Sequence, residues 1–365
     1  MTRFELMKWR DLSAADRGAW RAFREADPRL RSPYFDMPWF DAVDRARGDL
    51  HVLRGSGGGA AGGSGRAFLA FHPGMMGAAR PAGGTFCDWH GMVADPGLTL
   101  DPAAALTGGP ATFPFWATPA GDPLLERAAE RRDEVRTIDL SNGFEAYANP
   151  AGGGAPKGIA ATRKAWRKLE ADGRRTRTVI DDRDPATLAA VLALKSEQYL
   201  RSGHPDALAW VWSRRLMQRL FETRAALLSS FWIDDQLAAG HFGLKSDGVL
   251  HHWLPVYDLQ FAGYSPGSVL WLELGKTLAP EGLTLMDLGV GDYRWKREFA
   301  NGSTPLIAGV AHAPTAVGRI NAAAYRAGRR WSALPLGKAA ALPHRISRRL
   351  EKVLAARAPE PESAA

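Results

Sequence analysis

Residues 249–299 carry two hydrophobic periods in alternation. VLHHWLPVYD (249–258) is a nearly unbroken apolar and aromatic run that ends in a turn sequence, which predicts a mostly buried strand. Beyond Gly263-Tyr264-Ser265-Pro266-Gly267-Ser268, apolar residues at 269, 270, 272, 274 and 278 suit one buried helical face, with Ser268 as its N-cap. A second strand is predicted over 283–289 and a short helix over 291–300. This order leaves the chemically able side chains at strand ends and in the polar loops that follow.

The same patterning organises the rest of the chain. Helices are predicted at 14–26 and 39–46, then short apolar strands at 51–53 and 67–71 around GSGGGAAGGSG (55–65), which reads as a flexible hairpin loop. No lysine or helix signal follows that loop, so it is no phosphate cradle. A Gly/Pro-rich piece at 149–156 marks a domain boundary or a mobile loop ahead of a basic helix that opens at Arg163. A strand at 174–182, helices at 186–202 and 209–222, and two strands around Asp234-Asp235 lead into the central segment. Helices, a strand meander, then β-α-β-α predict an α/β (α+β) architecture.

At 365 residues, with 45% hydrophobic content and thirteen tryptophans, the chain exceeds one ordinary domain. The expected division is 1–150, 151–312 and a basic amphipathic tail, 313–365. No apolar run is long enough to span a bilayer and the first residues lack a signal-peptide core, so a cytoplasmic protein is expected. The one cysteine, Cys87, excludes an intrachain disulfide and a cysteine-based zinc site, and with nothing to activate it reads as structural. The formal charge of +8 concentrates in the tail, where ten basic residues from Arg319 to Arg357 face the single acid Glu351 and alternate with Ile320, Trp331, Leu350 and others. That pattern suits either an anionic inner-membrane surface, which would make the protein peripheral there, or a solvated helical tail packed on the second domain. Nucleic acid is not expected, since no groove-reading or stacking motif accompanies the charge.

Chemistry concentrates in the central segment. A glycine beside a helix start, with the free N–H groups of the first turn, favours an anion such as a pyrophosphate, although the same residues serve a plain strand-to-helix turn. The Gly-Lys-Ser/Thr of a P-loop is absent. Asp287 sits near a strand end before Gly289 and Gly291 and is the leading general-base candidate; its alternative role is to cap the next loop. His251 and His252 alternate faces of one strand, so one at most faces a cleft, and they form no metal site by themselves. Asp292, Tyr293 and Lys296 complete the catalytic candidates, with Arg297 beside them.

The pattern Y-S-P-G at 264–267, followed by D-L-G-x-G at 287–291 and K-x-x-F at 296–299, resembles the acetyltransferase domain of CelD-type (BioF2-like) cellulose and exopolysaccharide biosynthesis proteins, within the GNAT acyl-CoA N-acyltransferase superfamily. The basic helix RKAWRKLE with Gly173 resembles the opening of that domain, and Ser32-Pro33-Tyr34-Phe35 and Cys87-Asp88-Trp89-His90-Gly91 resemble elements of the family's first half. The resemblance implies tandem GNAT-like domains with a mixed central sheet, a degenerate first copy on the acceptor side, acyl-CoA as co-substrate, and its diphosphate at Tyr264, Ser265, Pro266, Gly267 and Ser268. It implies transfer of an acyl group to a primary amine of an envelope molecule, either an exopolysaccharide amino sugar or an amino-lipid such as a sphingoid base. Trp295 stands where that family usually has tyrosine, which leaves Tyr293 as the nearby hydroxyl. Two other readings remain: a FemABX-like transferase fed by aminoacyl-tRNA, and a non-catalytic accessory subunit of an envelope synthase.

Overall fold

A computed structural model describes residues 3–58, 64–96, 98, 100–332 and 334. The chain forms two compact units: residues 1–133 with 305–365, and residues 134–304. Among the described residues no helix is long and apolar enough to cross a membrane.

The first unit opens with β1 (Arg3–Lys8), α1 (Ala14–Ala26), α2 (Met37–Arg47), β2 (His51–Gly58), β3 (Ser64–Pro73), β4 (Ala79–Pro81), β5 (Val93–Ala94), α3 (Pro102–Thr107) and β6 (Thr112–Pro119). β1 to β4 pair in sequence order as an antiparallel sheet, and β5 pairs antiparallel with Ala67 and Phe68 of β3. Ser13 caps α1 by accepting the Asp16 N–H, and α1 and α2 bury Trp20, Trp39 and Phe40. Trp20 meets Trp9, Phe40 and Phe68 with ring centroids 4.9–5.5 Å apart. The glycine-rich loop is shorter than expected: the ladder runs to Gly58 and resumes at Ser64, because backbone pairing needs no side chains, and 59–63 lie outside the described residues.

β7 (Ala129–Asp139) carries the chain onward to α4 (Gly143–Ala148), α5 (Lys157–Ala171), β8 (Thr176–Ile180), α6 (Pro185–Arg201), α7 (Val211–Glu222), β9 (Ala226–Ile233), β10 (Gln236–Ser246), β11 (Val249–Tyr257), α8 (Pro266–Leu278), β12 (Leu285–Asp287) and α9 (Arg294–Phe299). In the second unit the strands lie in the order β7-β12-β11-β10-β9-β8, antiparallel throughout except for the parallel pair β11 and β12. The β9–β10 hairpin turns through Asp234 and Asp235, both at positive φ. α5 buries Ile159, Thr162, Ala165 and Leu169 along one face, and α8 buries Val269, Leu270, Trp271 and Leu274. With Phe231, Leu250, Met286 and Phe299 these make the unit's core.

β13 (Gly302–His312) returns to the first unit, pairs with β6, and is followed by α10 (Ala316–Ser332). The boundary thus falls near residue 134 rather than 151, because Thr137–Asp139 already pair with β12; residues 149–156 only link α4 to α5. The stretch expected as a separate tail from 313 belongs, as far as it is described, to the first unit; Lys338, Arg345 and the basic residues after them lie outside the described residues.

Candidate active site

The parallel pairing of β11 with β12 covers only Val249–His251 against Leu285–Asp287. β11 continues to Tyr257 while β12 stops, so the two strands part company at His251. Between Leu244↔His251 and Phe242↔Leu254, β11 advances three residues while β10 advances two. The extra residue is a β-bulge at His252-Trp253, a feature that re-aims side chains and leaves backbone groups unpaired.

A cavity of about 380 Å³ opens there, lined by the end of β11, the start of α8, and Gln198, His241, Trp271 and Trp295. Ser265 holds φ 47° and ψ 50° and is the N-cap of α8, with Pro266 at the first helical position. The cap was expected one turn later at Ser268; proline's fixed φ and missing N–H make position 266 the natural first residue instead. The Ser268 and Val269 N–H groups both donate to the Ser265 carbonyl. A Cβ on Gly267 would meet only Tyr257 Cδ1 at 3.9 Å, so glycine leaves the backbone open to the cavity.

Ser265, Pro266, Gly267 and Ser268 all line the cavity. Tyr264 turns elsewhere: its hydroxyl donates to Asp172 at 2.7 Å and Lys168 Nζ lies 4.3 Å from its ring centroid.

Of the catalytic candidates, the structure brings His252 to the cavity. Its ring stacks on His241 (centroids 5.0 Å apart, planes 13°) and meets Trp271 at 4.2 Å and Trp295 at 5.1 Å. Burial holds His252 well below the usual imidazole range, with His241, Lys296, His251 and Lys195 contributing, so the ring is neutral. The other candidates surround the β12 loop. Asp287 is buried and accepts the Gly289 N–H at 2.7 Å, while its second oxygen lies 3.3 Å from His251 Nδ1. Lys296 is likewise buried, donating to the Gly289 and Val290 carbonyls at 2.8 and 2.7 Å, so it is not an exposed helix charge. Asp292 is exposed and paired with Arg297, and Tyr293, also exposed, caps α9 rather than lying on it.

Two residues escaped sequence reasoning. His241 is buried on β10, neither ring nitrogen has a hydrogen-bond partner among the described residues, and burial pushes its pKa down to about 3, with His251 and Lys195 contributing. Lys195 is also buried and donates to Gln198 Oε1 at 2.9 Å and to the Pro255 carbonyl at 3.0 Å; burial pushes its pKa down to about 8. The available signal was position: Leu188, Val191 and Lys195 share one stripe of α6, so the lysine rides on the apolar face. Cys87 is buried, donates to the Trp89 carbonyl, and has its thiol pKa raised by burial, which fits a structural role.

Residues 157–297 match the Acetyltransferase (GNAT) domain family. No curated protein matches the chain. Among solved structures, FemX aligns with a TM-score of 0.53 at 10% identity, covering 84% of this chain and 96% of its own. The C-terminal domain of a protein described as a lysylphosphatidylglycerol synthetase, from Agrobacterium fabrum, aligns with a TM-score of 0.51 at 13% identity, covering 85% and 96%. A tandem GNAT protein from the clavulanic acid pathway aligns at 0.47 with 14% identity, covering 87% and 100%. At such identities the first two alignments speak for the fold alone, a mixed α/β arrangement, and the family match lies wholly within the second unit. Residues 157–297, less than half of the chain, are therefore similar to a GNAT acetyltransferase domain, and that match supports an acyltransferase.

Proposed function

We propose that the protein is an acyl-CoA-dependent N-acyltransferase, of the CelD type, that acylates a primary amine of a cell-envelope glycan or lipid. The observation that carries this reading is the cavity at the parting of β11 and β12, which opens onto the glycine-bearing start of α8. The α8 terminus, with its dipole and the open backbone at Gly267, suits the coenzyme A diphosphate. The pantetheine arm then follows β11 beyond His251, where a backbone N–H of that strand meets the thioester oxygen as charge develops on it.

An amine with a pKa near 10 is only about one part in a thousand neutral at pH 7, a handicap of roughly 4 kcal/mol. The apolar walls of Trp271 and Trp295 reduce it by disfavouring the ammonium form. The amine nitrogen attacks the thioester carbon, its proton passes to His252, the C–S bond breaks, and the departing thiolate takes up a proton. Asp287 and Lys296 hold the loop between β12 and α9, and Trp295 of α9 lines the cavity. An acceptor carried on a lipid would bring the enzyme to an inner-membrane surface.

Calorimetric titration with coenzyme A, acetyl-CoA and a long-chain acyl-CoA tests the reading. Micromolar binding with a preference for one acyl length supports it. Binding of none of them would favour aminoacyl-tRNA-dependent transfer or an accessory role.

A further inference from the structure

α10 lies in the first unit, and none of its residues lines the cavity. It packs through Gly318 and Ala322, which are buried, and through Asn321, whose amide donates to the Met76 carbonyl. Val317, Ile320, Ala324, Ala327 and Trp331 follow one another along α10 at steps of three and four, and therefore share one face, with Leu334 just beyond the helix end. That face looks outward: Ile320 is 61% exposed, Leu334 49%, Trp331 44% and Val317 41%. A helix on the surface of a globular protein ordinarily turns its apolar stripe inward, so this one is inverted. Met75 and Met76, exposed on the turn that meets α10, enlarge the apolar surface.

Charge decides what covers it. Arg319 and Arg330, about three turns apart, border the stripe on one side and have no ion pair among the described residues, whereas Arg326 and Arg329 are engaged by Glu130. No acidic residue occurs between 313 and 334. A second copy packed face to face would bring these arginines toward their own equivalents, and the chain beyond Leu334, with six basic and three acidic residues, has the same sign. An apolar stripe with an aromatic residue and a cationic border matches an anionic bilayer interface.

We propose that this face docks on an anionic lipid bilayer, with α10 lying in the headgroup layer and Ile320 and Trp331 reaching toward the acyl chains. The proposal rests on the first unit alone and stands apart from the acyl-transfer reading.

The test is co-sedimentation of the full-length protein with vesicles of phosphatidylcholine, with or without phosphatidylglycerol. Binding is expected only to the phosphatidylglycerol vesicles and should weaken with salt. Arg319→Glu with Arg330→Glu should lower it by at least about tenfold, and Ile320→Glu with Trp331→Glu should abolish it. Circular dichroism should show these exposed positions leave the fold intact. Three results overturn the proposal: no binding to anionic vesicles, undiminished binding by the Ile320→Glu/Trp331→Glu variant, or a lipid-free dimer that this variant dissociates.

Discussion

At the scale of single residues, the structure separates groups that face the cavity from groups that build it. His252 faces it, so His252→Ala should lower kcat by about 10²–10⁴-fold with little change in acyl-CoA affinity, as read from steady-state kinetics beside calorimetry. Asp287 holds the loop, and Asp287→Ala would leave the buried Gly289 N–H unsatisfied. It should cost about 1–3 kcal/mol in urea unfolding. A kcat loss without that stability loss would instead return Asp287 to the chemistry. Lys195 gives a pH signature. Its pKa is about 8 in the folded protein against 10.5 as the ordinary value. Between those values the unfolded chain binds more protons, so the wild type gains stability with rising pH, and above 10.5 the gain levels off. Relative to Lys195→Met, wild-type stability should rise by on the order of 2–3 kcal/mol between pH 7.5 and 10.5 in urea titrations. A flat difference would mean that the ammonium is well solvated. The sequence marked His251 and His252 as alternating faces of one strand, of which one at most could face a cleft. It did not mark Lys195 or His241, because burial of a polar side chain depends on what packs over it from other elements.

At the scale of elements, the strand–turn–helix order of 249–278 was legible because period and turn chemistry agree there: an apolar run for β11, Ser-Pro-Gly for the start of α8, and a 3.6-residue stripe after it. The bulge in β11 was not, since it exists only in the register with β10. Strands β7 and β13 were also missed: β7 begins with the charged AERRDEVR, which local patterning reads as surface, and its partner β12 lies about 150 residues away in sequence. Two glycines of this site should behave oppositely. Gly267→Val adds side chain into open space at the α8 start and should weaken coenzyme A binding by about tenfold, in calorimetry, with stability unchanged within about 0.5 kcal/mol. At Gly243 a Cβ would collide with the His241 ring and lie 2.7 Å from the His251 carbonyl. Gly243→Ala should therefore destabilise the protein by about 1–3 kcal/mol and displace His241 from the cavity wall. If Gly267→Val bound coenzyme A normally, the diphosphate would not sit at the α8 start.

At the scale of the whole molecule, each unit has its own hydrophobic core, and the two cores share no residue: one contains Leu53, Phe71, Phe113 and Ile307, the other Phe231, Leu250, Leu274 and Phe299. All residues lining the cavity fall within 134–304. That the chain exceeds one domain was legible from its length. Its interleaving was not, because nothing in the local pattern of 302–334 announces that it returns to pair with β6. Separate cores with a site confined to one of them make a specific expectation. Trp20 is 1% exposed and packs on Trp9, Phe40 and Phe68, so Trp20→Ala should cost about 3–5 kcal/mol within the first unit. Under conditions where the variant remains folded, its coenzyme A dissociation constant should match the wild type within about twofold, since no ligand-contacting group is altered. In scanning calorimetry, coenzyme A should raise the transition of the second unit, because a ligand stabilises the state that binds it. A tenfold loss of affinity in Trp20→Ala would mean that the first unit shapes the coenzyme A site.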